Sequence, residues 1–414
     1  MKAIMTLVLA GWMVLGYRDL PAQNNPGLYP LKLGGKFGYI NRTGQVVIMP
    51  HFDWAFDFSQ GLALVNVSGA RNEYGFVVGG KWGYIDGQGQ VAIAPEYDDA
   101  KNFTEGLALV NIGGKPIENG LLSGGKRGFI DPSGKTVIEP RYEDARSFSQ
   151  GLALVRQNDR YGFIDPKGKA VIPLLYPGAM SFSCGRALVK YDDRWGFIDL
   201  AGSMAIPATY HGARSFANNY AIVQTEGKVG FIDTLGRMVV PQLYDDAGNF
   251  SQGLAAVKLN GKWGYVDAEG QRVISPKFDA ASDFSEGLAC VRTGGKRGYV
   301  NQSGKMVLAP RFDGAMDFSE GLALVNLGGR MNENGIIQGG SWGFINKTGQ
   351  MVIKPRFDHA WDFKNGLALV NQGGKMNSFG IVDGGEWGYI DKTGKFIWKP
   401  GTVYEGNGAD KNRQ

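Results

Sequence analysis

Cysteine is nearly missing from this chain. Cys184 and Cys290 are the two in 414 residues. They occupy different positions of a repeating unit, three repeats apart, beyond the ~7 Å that a disulfide can span. A disulfide framework and a Cys-x-x-Cys redox motif are excluded. Histidine is as scarce: His51, His211 and His359 lie far apart with no metal-ligand spacing, so no metal site is expected. A Walker loop and a nucleophile elbow are also lacking, and the Gly-Gly pairs flank turns instead of opening a helix. No catalytic residue is assigned, no cofactor is expected, and an enzyme is not the reading. Nor is there an excess of one charge. The chain carries 44 basic and 39 acidic residues, for a net charge of +5, with the signs interspersed. That balance argues against nucleic acid as a partner.

Long apolar runs are confined to the N-terminus. Lys2 precedes an uncharged, mostly apolar stretch from Ala3 to Gly16, and Leu20-Pro21-Ala22 offers a small residue at a cleavage point. The run is short for a membrane span. Residues 1–22 are expected to be a signal peptide, with an uncleaved anchor or a buried strand as the alternatives. No transmembrane segment is then left after cleavage. The expected location is exported: periplasmic, cell-surface or secreted.

Glycine is the residue in excess, at 64, with no Gly-X-Y period. Many tight turns and short strands are the remaining explanation. An aromatic-Gly-aromatic signature recurs at Gly38, Gly83, Gly128, Gly162, Gly196, Gly230, Gly264, Gly298, Gly343 and Gly388. Successive spacings are 45, 45, 34, 34, 34, 34, 34, 45 and 45 residues. Ten units start near residues 27, 61, 106, 151, 185, 219, 253, 287, 321 and 366. They form one array over 23–400, with 401–414 as a tail.

The unit beginning at Gly151 shows the local logic. Gly-Leu-Ala-Leu-Val (151–155) alternates as a strand. Tyr161 to Asp165 is a second strand, and Lys169 to Pro173 a third. The intervening Asp-x-x-Gly turns combine an Asp that caps its own turn with a Gly that accepts positive φ. A second Gly column, at 61, 106, 151 and onward, becomes Asn219 once, and Asn is the residue that best replaces Gly at left-handed φ. A loop of about ten residues holds a constant Ala (Ala55, Ala145, Ala179 and equivalents) and a constant Phe (Phe58, Phe148, Phe182 and equivalents). These are expected to plug the space between successive units. Both faces of Gly-Leu-Ala-Leu-Val are apolar, so neighbouring repeats must cover it.

The motifs Lys-Trp-Gly-Tyr-Ile-Asp (81–86) and Phe-Ser-Glu-Gly-Leu-Ala (284–289) resemble those of bacterial WG-repeat proteins, over residues 27–400. The departures lie in the Trp column, at Phe37, Arg127, Tyr161, Val229 and Arg297. The resemblance implies a repeat architecture and no shared biochemical activity. The fold expected is all-β: ten three-stranded antiparallel meanders in an open superhelix or solenoid. A closed, propeller-like ring is the alternative, held second because propellers usually have 4–8 four-stranded blades.

Two features could carry binding. The first is the Trp column, where Trp82, Arg127, Tyr161, Trp195, Trp263, Arg297, Trp342 and Trp387 are the ligand-contact candidates. A regular aromatic row can stack on sugar rings or grip an extended peptide, and it can equally be packing between repeats. The second is a set of inserts of 11 residues at about 66–80, 111–125, 326–340 and 371–385. They either cap the ends of an open array or form a binding face. The loop aspartates Asp53, Asp98, Asp245, Asp279, Asp313 and Asp358 supply too few oxygens each for calcium. The resulting reading is an exported, non-catalytic scaffold for protein or polysaccharide, with a ligand-free envelope spacer as its rival. N-terminal sequencing of native protein is expected to begin just after Ala22; a mature chain that retains Met1 contradicts this.

Overall fold

The computed structural model describes residues 26–72, 77–117, 122–378 and 380–401. The segment 1–22, expected to be a signal peptide, and nearly all of the tail lie outside the described residues. The remainder is strand and turn, arranged as ten antiparallel sheets in chain order. Blade 1 spans 28–52, and blades 2 to 10 span 54–97, 99–142, 144–176, 178–210, 212–244, 246–278, 280–312, 314–357 and 359–398.

Blade 4 illustrates the unit. Its strands are Asp144–Ala145 (a), Ala153–Gln157 (b), Arg160–Ile164 (c) and Ala170–Tyr176 (d), paired in that order. The same letters serve for the other blades. The expected meander is b-c-d. The fourth strand, a, lies in what the sequence presents as loop: its two residues end on the constant Ala, which pairs with Val155. Nine of the ten sheets are therefore four-stranded, correcting the three-stranded expectation. Ladder hydrogen bonds from Glu143 N–H to the Arg156 carbonyl and from Arg146 N–H to the Leu154 carbonyl fix the short strand in place.

Turn chemistry follows the sequence closely. Between c and d, Asp165 Oδ1 accepts from the Lys167 and Lys169 N–H groups, and Gly168 stands at φ +79°. Between a and b, Gln150 and Gly151 both have positive φ (57° and 81°) inside a Ser149–Leu152 bridge, the signature of a two-residue type I′ hairpin. Asn219 adopts φ 69° in the Gly column.

The sheets close into a ten-bladed β-propeller, which overturns the open solenoid. At each of nine junctions the constant Phe of one blade packs onto the aromatic ring on strand c of the blade before it. Phe182 lies 4.8 Å from Phe163, and Phe318 lies 5.0 Å from Tyr299, both edge to face. The neighbouring Ser donates to the carbonyl of the next blade's Phe, as Ser149 does to Phe182 at 2.8 Å. The following Gln or Glu accepts from the next blade's Gly N–H, as Gln150 does from Gly185 at 2.9 Å. Where Ala217 replaces the Ser, the next residue takes over: Asn218 Nδ2 donates to the Phe250 carbonyl at 2.7 Å. Nine junctions of this one geometry bring blade 10 back beside blade 1, where a tenth contact closes the ring.

The tenth junction, from blade 10 to blade 1, uses substitutes. Blade 1 has three strands among the described residues, Leu28–Leu33, Lys36–Asn41 and Val46–Phe52, and lacks strand a with its Phe. Tyr29 stands in strand b where the other blades carry a fully buried Ala. Its ring reaches Tyr389 of blade 10 at 5.8 Å, filling the role of the missing Phe. The Tyr389 hydroxyl donates to the Pro30 carbonyl, and Arg42 and Tyr29 both donate to the Asn365 carbonyl. Lys364 of blade 10 reaches past blade 1 to Asp57 of blade 2 at 3.2 Å. Leu31 and Ile40 join Leu367, Tyr389 and Trp398 in one buried core across the seam. Pro30 and Lys32 sit on the open edge of blade 1, a pairing that discourages strand addition.

The signature glycine has a backbone cause. A Cβ on Gly162 would lie 2.6 Å from the Ile172 carbonyl and 2.7 Å from Pro173 backbone, because the c–d register bulges there. The obstacle is backbone, which cannot move aside as a side chain can. Gly162→Val is expected to cost more than ~2 kcal/mol in urea unfolding; a loss below ~0.5 kcal/mol would show that the strands part freely.

Candidate functional site around the blade 1 rim

The Trp column begins strand c, in a row that crosses the blade. In blade 2 the row is Trp54, Asn66, Trp82 and Tyr97. Most of the column faces the following blade. Trp82, Tyr161, Trp195 and Trp263 are half-buried against the inter-blade cores. Trp342 is fully buried, 2 % exposed. Arg127 hydrogen-bonds the Glu143 carbonyl and lies 3.5 Å from Asp144, both at the start of the next blade. Arg297 rests on Cys290 Sγ at 3.8 Å, and burial pushes that thiol up to about 11. Trp387 differs, since the blade it faces has no strand a among the described residues. Its one ring partner among the described residues is His359, at 6.0 Å.

The structure does not bring the eight candidates together as one site. A blade-wide spacing separates each from the next, and seven of them pack or pair at blade junctions. Two shallow depressions, one lined by Arg141 and Leu174 and the other by Asn219 and Arg237, contain no member of the column. The loop aspartates are likewise occupied. Asp279 Oδ1 receives Lys262 Nζ at 2.6 Å and its Oδ2 the Gly294 N–H at 2.9 Å. The Lys262 ammonium holds that carboxyl below the usual range. Among the described residues no three His, Cys, Asp or Glu side chains come together as a metal site, and no helix is long and apolar enough to cross a membrane.

This junction geometry, one Gly-aromatic strand c in every blade and one Phe plug in blades 2 to 10, has a counterpart among known proteins. Residues 37–69, 82–115, 128–161, 161–195, 195–228, 230–263, 263–296, 298–330 and 342–375 each match the WG containing repeat. The chain belongs to the WG-repeat family. No curated protein matches it. Among solved structures, a eukaryotic initiation factor is 11 % identical, covering 90 % of this chain and 95 % of that one with a TM-score of 0.50, a likeness of fold alone. Hsv2p of Kluyveromyces lactis (10 % identical, 60 % and 96 % covered, TM-score 0.33) and PorZ of Porphyromonas gingivalis (11 %, 91 % and 52 %, 0.25) are more distant in shape. A WG-repeat propeller of this kind suits a binding or scaffold role.

The WG-repeat inserts are long hairpins on strands b and c of blades 2, 3, 9 and 10. Each starts from an Asn with a Gly-Gly pair facing it. The buried Asn371 accepts from Gly374 N–H at 2.9 Å and donates to the Gly384 carbonyl at 3.3 Å, holding an irregular hairpin base. The hairpins of blades 9 and 10 join through Asn332 and Asn334, both donating to the Ser378 carbonyl. Ring closure removes the bare array ends, so the end-capping reading falls. It also places blade 1, with its short Gly34-Gly35 turn, between the two hairpin pairs. A binding face formed by the inserts is therefore interrupted by a one-blade gap.

Residues that sequence reasoning passed over border this gap. In strand a, the position of Trp54 and His359 holds Asp, Gly or Ala in every other WG repeat. Two residues on, the position of Phe56 and Trp361 holds Lys, Arg, Met, Gly or Ser elsewhere. Both columns turn aromatic only in blades 2 and 10, the neighbours of blade 1. Phe56 and Trp361 are each 41 % exposed. The signal was available as an outlier within an aligned column.

His359 sits among Trp361, Trp387 and Trp342, at 5.2, 6.0 and 6.3 Å. Burial lowers its pKa to about 4. The unfolded chain takes up this proton near pH 6.5 and the folded chain only near 4. Its contribution is therefore complete above pH 6.5 and is lost as pH falls toward 4, by at most ~1.4 kcal/mol per pH unit. Asp362 reaches solvent, but desolvation by the surrounding protein and the Asp317 charge raise it to about 6; it acts in the opposite sense, so the difference between wild type and His359→Phe is the quantity to read. Chemical unfolding at pH 7 and pH 4.5 is expected to show that difference shrinking at the lower pH. A pH-independent difference contradicts it. By the same packing argument Trp342→Ala is expected to cost ~3–5 kcal/mol and Trp387→Ala less than half of that, as unfolding curves will report.

Proposed function

We propose that the chain is an exported, non-catalytic ring that presents a binding surface for another macromolecule of the cell envelope. One observation carries this reading. The departures from the repeat pattern that junction packing does not require, four long hairpins and two aromatic columns, all gather on the five consecutive blades 9, 10, 1, 2 and 3. The export part rests on the Lys2-to-Ala22 pattern of the sequence. The non-catalytic part rests on the residue chemistry: the aspartates are engaged in turns and junctions, and Cys290 is a buried thiol with a raised pKa.

A second reading, a structural spacer without a specific ligand, draws support from the packed Trp column. The hairpins separate the two. Removing 67–77 and its three counterparts is expected to leave the unfolding midpoint nearly unchanged, because the short blades 4 to 8 close their b–c turns without inserts. Capture of partners from envelope extract, and signals on a glycan array, are expected to disappear. A variant that retains full capture sinks the binding reading, and a collapse of the midpoint assigns the hairpins to stability.

A further inference from the structure

The gap over blade 1 has a chemistry that the rest of the rim lacks. Phe37, Trp54 and Phe56 form a continuous aromatic strip, with ring centres 5.1 and 6.3 Å apart. Arg71, on the blade 2 hairpin, lies over Trp54 at 4.4 Å and over Phe37 at 5.8 Å. Lys32, on strand b of blade 1, lies over Phe37 at 5.9 Å. Two cations thus share one aromatic ring, and neither meets an acidic side chain among the described residues.

Of the four other basic residues in the same b-strand column, Lys258 and Arg292 form no ion pair among the described residues, and two are paired. Arg156 pairs with Asp159 at 3.2 Å and Lys190 with Asp193 at 3.3 Å, each within its own hairpin. The hairpin after Lys32 is Leu33-Gly34-Gly35-Lys36, which supplies no acid, and Lys36 is already engaged by Asp53. Burial, then the neighbouring Arg71, lowers the Lys32 pKa, and burial lowers that of Arg71. Both charges are partly stripped of water with no anion among the described residues to offset the loss, a cost that a bound anion removes. Filling the space left by the missing strand a explains why blades 2 and 10 carry large side chains. It does not explain why Phe56 and Trp361 keep 41 % of their surface open.

Resting on the binding role proposed above, we infer that the blade 1 gap is a groove for an acidic polysaccharide, with uronate carboxylates on Arg71 and Lys32 and sugar rings against Phe56 and Trp361. Exposed aromatic faces suit the apolar faces of pyranose rings, and carboxylate is the anion that a guanidinium binds through two parallel hydrogen bonds. An acidic peptide would satisfy the cations and leave the two open rings without a flat partner.

Isothermal titration calorimetry of the full chain tests this with three probes: oligogalacturonate, a neutral malto-oligosaccharide and oligoglutamate. Oligogalacturonate is expected to bind, with affinity that falls as salt rises. Arg71→Glu and Lys32→Glu are each expected to weaken it by about tenfold or more, Trp361→Ala by severalfold, and Lys277→Glu, the same charge change on blade 7, by less than about twofold. Arg71→Gln and a circular dichroism melt accompany the set, so that a misfolded variant is recognised and replaced. Equal binding of the neutral sugar, equal binding of oligoglutamate, no saccharide binding by wild type, or loss on Lys277→Glu equal to that on Arg71→Glu overturns the inference. If wild type still captures an envelope partner while ignoring oligogalacturonate, the binding role survives and this groove assignment fails.

Discussion

A phenylalanine ring delivered from each blade onto the strand c aromatic of the blade before it is the contact on which this architecture depends. A three-stranded meander with two apolar faces cannot bury them alone. The Phe, the Ser and the Gln or Glu of the a–b turn convert that deficiency into a directional link. The ring supplies apolar burial, the hydroxyl fixes the approach, and the side-chain carbonyl or carboxylate caps the neighbour's turn. The cost is a non-glycine residue held at φ near +50° at each of these turns, offset where it is Gln, Glu or Asn218 by the hydrogen bond its side chain makes to the next blade. Because the link has one geometry, the same angle is added at every step, and nine steps bring blade 10 back beside Tyr29.

Much of this was legible in the sequence. The aromatic-Gly-aromatic register, the Asp-x-x-Gly turns, the inter-repeat position of the Phe column and the left-handed Asn219 all follow from local chemistry that one repeat contains. Strand a was not legible. Its two residues carry no alternation, and its hydrogen bonds depend on the next strand already being placed. Closure was not legible either, because it depends on the angle between blades. A few degrees per junction separate a ring from a superhelix, and no residue encodes them alone. The clue lay in an exception: Tyr29 where nine other units hold Ala. That substitution makes sense only if the ring of Tyr389, at the far end of the chain, is adjacent.

The Trp column shows how a regular feature can be misread as a site. Its regularity comes from the junction, and its members are mostly consumed there. The informative positions are the irregular ones. Trp54, Phe56, His359 and Trp361 break otherwise small or polar columns, and they do so on both sides of the blade that lacks its fourth strand. A ring assembled from near-identical blades has no preferred direction until one blade differs. Blade 1 supplies that difference, so the seam that closes the fold is also the place where the rim acquires a distinct chemistry.

Closure is the claim on which the rest stands, and amide hydrogen exchange resolved by blade tests it most directly. In a closed ring blades 1 and 10 have neighbours on both sides, so the strand c amides of 36–41 and 384–390 should be protected within about tenfold of those of 160–164 in blade 4. Tyr29→Ala, which removes the seam ring, should release blades 1 and 10 first. An open array would instead fray from its ends in the wild type, with blades 1 and 10 exchanging orders of magnitude faster than blade 4 and Tyr29→Ala changing nothing.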